Sequence, residues 1–349
     1  GIVVIVLAVA GANEWALVAG QYASVGTVTV GCFILAKPRF RAGRATVASW
    51  RRIAKYGRHL LVTKISEAAG RRPAPVALGP NGSAPSVGLY GAGNRLSTLP
   101  VTGITHVAGQ VIFPALSRLQ GEPERMRARF LESLRLISLL TIPMCVFLMG
   151  MGEPLVVVLF GERWRGAGTV LQILAVWGLC HSMTGVAREA FKAAGVPGQL
   201  ARNAMIDASI TLGAIAAFWA TGHISIESVS GARAAASVVA LLVAARALRH
   251  VADTRFRHLW PAVRPSLVGG AVQLVALLLL TRVAFPGFES WHHIGGVNLG
   301  PVVPLLVLAG LGLCGAAAYG VAAEIAERGV LRSLASNIKL IVRPGSAAS

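Results

Sequence analysis

Trp15–Ala36 reads WALVAGQYASVGTVTVGCFILA and contains no Asp, Glu, Lys or Arg. A helix of roughly 20 apolar residues crosses a bilayer core, and a helix is required because unpaired backbone groups are too costly in hydrocarbon. Working outward from this stretch, the same test is met by Leu96–Ser117, Gly166–Ala187 and Ala208–Ile226. Shorter or less clean runs lie at Leu136–Gly152, at Val229–Ala245 with Arg233 inside it, at Pro265–Thr281, and within the run that ends at Ala323. The chain therefore reads as an all-α integral membrane protein with eight candidate spans.

Composition agrees. Of 349 residues, 54% are hydrophobic and 13% charged, where a soluble domain carries roughly 25% charged residues. Mean hydropathy is +0.65. Lys and Arg number 33 against 14 Asp and Glu, an excess that on a soluble protein would suggest nucleic acid. Here the basic residues sit between apolar runs and read as topology signals, so no nucleic-acid partner is expected and anionic membrane lipids are. Cys32, Cys145, Cys180 and Cys314 are far apart inside apolar stretches and read as small buried hydrophobes. The chain opens Gly-Ile-Val-Val without a Met or a basic n-region, so residues 1–11 read as the tail of a helix from a longer protein rather than as a signal peptide.

Short loops rich in Lys and Arg stay on the cytoplasmic side. That places Lys37–Arg58 and Arg118–Arg135 on the same side, although one apolar span, Leu96–Ser117, separates them. An odd number of further crossings must lie between Arg58 and Arg95, which implies a ninth, polar span within His59–Val87. Parity then puts Gly161–Arg165, Thr221–Ser228 and Phe285–Gly300 outside, with Arg188–Arg202, Arg246–Arg264 and the tail from Glu324 inside.

No site for catalysis, a cofactor or a metal emerges. Gly91-Ala92-Gly93 and Gly79-Pro80-Asn81-Gly82-Ser83 lack the strand, the helix and the Gly-Lys-Ser/Thr of a phosphate cradle, and read as flexible loops. His292-His293 has no third ligand at helical spacing. Acidic residues lie almost wholly at membrane boundaries, which leaves little for general acid–base chemistry. Ionisable groups at membrane depth are costly and face a cavity or one another. Lys64 and Glu67, three residues apart in the polar span, share a helix face and are candidates for lining a water-filled passage; a local ion pair near the cytoplasmic end explains them equally. Arg71 and Arg72 follow them. Arg95 opens the next span and either faces the same passage or snorkels to the interface. His106 and Gln110 form a polar stripe at i, i+4 between Pro100 and Pro114, both of which can bend that helix.

Gly88-Leu89-Tyr90, Asn94-Arg95-Leu96, Leu99-Pro100 and Phe113-Pro114-Ala115-Leu116-Ser117-Arg118-Leu119-Gln120 resemble the polysaccharide (O-antigen type) flippases. Ile142-Pro143, Leu159-Phe160-Gly161-Glu162-Arg163-Trp164 and Leu171-Gln172-Ile173-Leu174-Ala175 follow in that family's order. The family belongs to the multidrug/oligosaccharidyl-lipid/polysaccharide flippase superfamily, whose members have two six-helix lobes around a cavity, often with two extra helices. The resemblance covers most of residues 15–285. It departs at Arg72–Pro85, where relatives keep a more apolar helix with an Asp near Ala74, and where Pro73, Pro75, Pro80 and Pro85 disfavour a regular helix.

What the resemblance implies is a multi-helix transporter bundle, mainly the second six-helix lobe plus two extra C-terminal helices. Residues 1–36 would end the first lobe, 37–58 form a basic cytoplasmic linker, 59–250 the second lobe, 251–323 the extra pair and 324–349 a cytoplasmic tail. The protein would be a multi-pass transporter of the bacterial inner membrane, N-terminally truncated and inactive alone. Its substrate would be an undecaprenyl-pyrophosphate-linked oligosaccharide of lipopolysaccharide or surface polysaccharide biosynthesis, and a pathway polymerase would be a further partner. Lys64, Glu67, Arg95 and His106 would line its cavity. A multidrug or peptidoglycan-precursor exporter is the alternative within the superfamily. A membrane polymerase or glycosyltransferase is the alternative outside it.

Overall fold

The structure, a computed structural model, describes residues 5–7, 13–36, 46–71, 77–78, 84–250, 254, 256–284 and 302–329. The chain divides into two units, residues 1–53 and 54–349. The first unit holds α1 (Asn13–Ala36) and the opening turns of α2 (Val47–Arg71). In α1 the Thr27 and Thr29 hydroxyls donate to the Ala23 and Val25 carbonyl oxygens at 2.7 and 2.8 Å, so these two groups are satisfied within the helix while Val25, Val28, Phe33 and Leu35 are exposed.

The second unit holds the rest of α2, then α3 (Ala84–Ser117), α4 (Pro123–Phe160), α5 (Arg165–Ala193), α6 (Pro197–Ala220), α7 (Ile226–Ala247), α8 (Phe256–Ala284) and α9 (Val302–Ala326). Among the described residues there is no strand, and eight helices are long and apolar enough to cross a membrane. The remaining helix, α2, is the polar one. The sequence placed this crossing within 59–87; the described helix instead occupies 47–71 and runs unbroken through position 58. Its polar face turns inward: Thr63 and Ser66 are buried while Leu61 and Ile65 are exposed. That inverted pattern suits a helix facing hydrocarbon outside and polar groups inside. Residues 72–76 and 79–83, with three of the four prolines of the divergent segment, lie outside the described residues, as do His292-His293. The fourth, Pro85, sits in the first turn of α3, where a missing N–H costs nothing.

Helix α5 is the hub, packing on α3, α4 and α7. Glycine makes those approaches possible. A Cβ on Gly93 would stand 2.6 Å from the Ala167 carbonyl oxygen, and one on Gly168 would stand 2.5 Å from the Glu153 Cα. Small residues at such crossings let backbones touch where lipid offers no hydrophobic drive. Gly91-Ala92-Gly93 is therefore not a flexible loop: it lies inside α3, and Gly93 is a packing residue against α5. Gly161, with φ 89°, ends α4 and turns the chain into the short 3-10 helix Glu162–Trp164 that starts α5.

The pair α8–α9 packs on α4 through three polar contacts around Pro143. Pro143 has no N–H to give the Leu139 carbonyl, and the Tyr319 hydroxyl of α9 donates to that oxygen at 3.2 Å. Gln273 Nε2 of α8 donates to the Pro143 carbonyl at 3.1 Å, and the Ser138 and Ser266 hydroxyls are 3.0 Å apart. Gly269 and Gly270 admit the Tyr319 ring and Ile142, each of which a Cβ would meet at under 3 Å.

Candidate functional site

Helices α2, α3, α4, α5 and α6 line an open cavity of about 740 Å³. Its wall carries Lys64 and Glu67 from α2, Thr102 and Thr105 from α3, and His181, Arg188, Glu189 and Lys192 from α5. Lys64 Nζ lies 3.0 Å from Glu67 Oε2, the i, i+3 pair expected from the sequence, with Lys64 68% and Glu67 24% exposed. Glu67 Oε1 is 3.6 Å from Arg188 Nη1, so one carboxylate holds two cations on the same side of the cavity. Lys192 Nζ contacts Glu189 Oε1 at 2.7 Å. The lining thus bears three cations, Lys64, Arg188 and Lys192, against two carboxylates, all on two facing helices.

The other expected site residues fall differently. Arg95 is exposed on α3 and is not part of this wall; its carbonyl accepts the Thr98 hydroxyl at 2.8 Å. His106 lies in α3 between wall residues Thr105 and Gly109, and its side chain, like that of Arg71, is outside the described residues.

By loop charge Arg188–Arg202 reads as an inner loop, but its first residues belong to α5 and line the cavity. The helix continues to Ala193 and carries Arg188, Glu189 and Lys192 on its last turns. The signal was present: His181 and Arg188 are seven apart, two helical turns, and therefore share a face.

Arg233 of α7, the one charge inside the run Val229–Ala245, also has a structural role. It is 5% exposed. Its Nη1 donates to Asn94 Oδ1 at 3.0 Å and to the Tyr90 hydroxyl at 3.3 Å, and its guanidinium carbon stands 4.4 Å from the Trp177 ring centroid. A buried guanidinium is tolerated when hydrogen bonds and an aromatic face replace its water. Trp177 in turn stacks on His181 with centroids 4.7 Å apart, and His181 Nε2 is 3.1 Å from Arg188 Nη2. Arg233 therefore braces α3, α5 and α7 behind the cavity, and the ladder from Arg233 to Arg188 ends at the wall.

The motif residues behind the family resemblance find structural roles. Tyr90 and Asn94 bind Arg233, and Gln120 Nε2 donates to the Ala193 carbonyl that ends α5. Gln172 packs against Gly152, while Phe160 and Trp164 pair at 5.9 Å across the α4–α5 turn. Arg165 there contacts both Glu153 and Glu162 at 2.9 Å. Among the described residues no cluster of His, Cys, Asp or Glu could hold a metal ion.

Comparison with known proteins bears on the whole arrangement. Residues 1–169 match the family described as polysaccharide biosynthesis protein. The chain is similar to the succinoglycan biosynthesis transport protein ExoT of Rhizobium meliloti, 23% identical over 95% of this chain and 64% of that protein. It is also similar to the lipopolysaccharide biosynthesis protein WzxC of Escherichia coli, 29% identical over 28% of this chain and 20% of that protein, and to the teichuronic acid biosynthesis protein TuaB of Bacillus subtilis, 27% identical over the same shares. The chain thus matches from a fifth to just under two thirds of the length of these relatives. The fold is that of the lipid II flippase MurJ in its inward closed conformation, with TM-score 0.56 and 14% identity over 85% of this chain and 58% of that one. Helical architecture, family match and relatives together make this chain a multi-pass membrane protein with a MurJ-like fold, whose first 169 residues match the polysaccharide biosynthesis protein family and which is similar to transport proteins of polysaccharide biosynthesis.

Proposed function

We propose that the protein is a transporter that moves a lipid-linked oligosaccharide across the bacterial inner membrane for surface polysaccharide synthesis, and that residues 59–250 contribute one lobe of its cavity. The observation that carries this reading is the cavity wall of α2 and α5, where Lys64, Arg188 and Lys192 converge in a helical membrane bundle. A pyrophosphate linkage carries more negative charge than a single carboxylate. It would therefore compete with Glu67 for Lys64 and Arg188 and take guanidinium in a forked pair. The carrier in this reading is undecaprenyl pyrophosphate. Residues 1–36 belong to the preceding lobe, 251–323 form the appended pair, and the tail from 324 faces the cytoplasm.

The test is charge neutralisation in the intact protein. Lys64→Gln and Arg188→Gln should each lower surface polysaccharide several-fold at unchanged protein level in the membrane. Full export in both variants would remove the cavity from the account. Loss of viability or of drug resistance on gene inactivation, with polysaccharide intact, would instead assign the cavity to a peptidoglycan precursor or a drug.

A further inference from the structure

The second lobe and the appended pair meet imperfectly at one end. Helix α7 ends at Ala247 and α8 begins at Phe256; the buried Thr254 N–H donates to the Leu248 carbonyl at 3.4 Å and keeps the two ends together. Above that link a cleft of about 250 Å³ opens among α4, α5, α7 and α8. Every residue lining it is apolar, Leu134, Met183, Leu241, Leu248, Leu259 and Leu267 among them. In a membrane such a space takes hydrocarbon, because no polar group in it could compensate a water or a headgroup.

The rim has the opposite character. Arg246 and Arg249 flank wall residues Ala245 and Leu248, and Arg257 precedes wall residues Leu259 and Trp260. All three arginines are exposed, and no ion pair among the described residues uses them. Trp260, 53% exposed, stands between rim and cleft, the position an amphipathic ring takes at a membrane boundary.

We propose that this cleft is a binding site for an anionic glycerophospholipid, one acyl chain lying between α7 and α8 and its phosphate held by Arg246, Arg249 and Arg257. Charge complementarity selects the occupant. The cleft would accept any chain, but three exposed guanidiniums at this helix junction favour a headgroup with net negative charge over a zwitterionic one. Bound there, the lipid fills the seam between the lobe and α8–α9 and ties them together. This site is independent of the transported substrate.

Native mass spectrometry of the full chain, stripped of lipid and then offered phosphatidylglycerol and phosphatidylcholine of identical chains, tests it. Wild type should retain phosphatidylglycerol at least fivefold over phosphatidylcholine. The combined Arg246→Gln, Arg249→Gln, Arg257→Gln variant should lose that preference yet still bind both weakly. Ala245→Trp, which fills the cleft and leaves the rim charges, should lower retention of both lipids. Unchanged preference in the triple variant, or undiminished retention in Ala245→Trp, would overturn the proposal. So would displacement of phosphatidylglycerol from wild type by equimolar undecaprenyl phosphate, which would give the cleft to the carrier lipid.

Discussion

Arg233 shows what a single residue does in this lobe. Its guanidinium satisfies Asn94 Oδ1 and Tyr90 Oη and covers the Trp177 ring, so removing it strands the buried Tyr90 hydroxyl and the half-buried Asn94 Oδ1. An unsatisfied buried polar group costs about 1–3 kcal/mol. Arg233→Met should destabilise the purified protein by that order in a denaturing-detergent titration. Asn94→Leu should do the same, and the double variant should lose clearly less than the sum, because the second change removes a group already stranded. Strict additivity would show that the pair does not interact. Lys64 and Glu67 behave differently: their pair is largely exposed on the Lys64 side, and such pairs are worth roughly 0–1 kcal/mol. Lys64→Gln should leave the unfolding midpoint within error while lowering transport, which separates a cavity residue from a brace.

At the scale of elements, helix packing here rests on glycines and on proline-freed carbonyls. Replacing Gly93 by Val places atoms against the Ala167 carbonyl and Val170, with backbone rather than a movable side chain in the way. Overpacking of this kind costs typically 1–3 kcal/mol, and membrane levels of Gly93→Val should fall several-fold on immunoblots while Gly103→Val, with open space around it, stays near wild type. Pro143 gives a sharper prediction. Tyr319→Phe leaves the Leu139 carbonyl without a donor and should lower stability by about 1 kcal/mol. In a Pro143→Ala background the new N–H at 143 can bond that carbonyl, so the same Tyr319 change should cost less, leaving only the loss of its bond to Ser266. An equal cost in both backgrounds would mean that the Leu139 carbonyl contributes nothing.

The apolar helices were legible in the sequence because lipid imposes length and apolar content on each span separately, as Trp15–Ala36 and Leu136–Gly152 show. The polar helix α2 was legible only through loop-charge parity, and its bounds were missed because no apolar run marks them. Within the cavity, Lys64 and Glu67 were readable from i, i+3 spacing alone. Arg188 and Lys192 were not, since a charged helix end and a charged loop look alike until the helix is seen to continue. Arg233 was hidden for another reason: its partners are on α3 and α5, far away in sequence.

For the whole molecule, the net charge of +19 is distributed in two functional settings, the basic segments at the inner helix ends and the small set at the cavity wall. In the transporter we propose, the first would orient the chain and meet anionic lipid. The second would be offered to the substrate. Combining Lys64→Gln, Arg188→Gln and Lys192→Gln should reduce export further than any single change, while insertion and orientation, set by the loop arginines, remain as in wild type by cysteine accessibility.

The transport of a lipid-linked oligosaccharide that we propose for this protein is tested in a strain in which its gene is inactivated. Lipid-linked oligosaccharide should accumulate on the cytoplasmic leaflet while surface polymer is lost, and the intact gene should reverse both. Normal surface polymer with no accumulated intermediate would contradict the account.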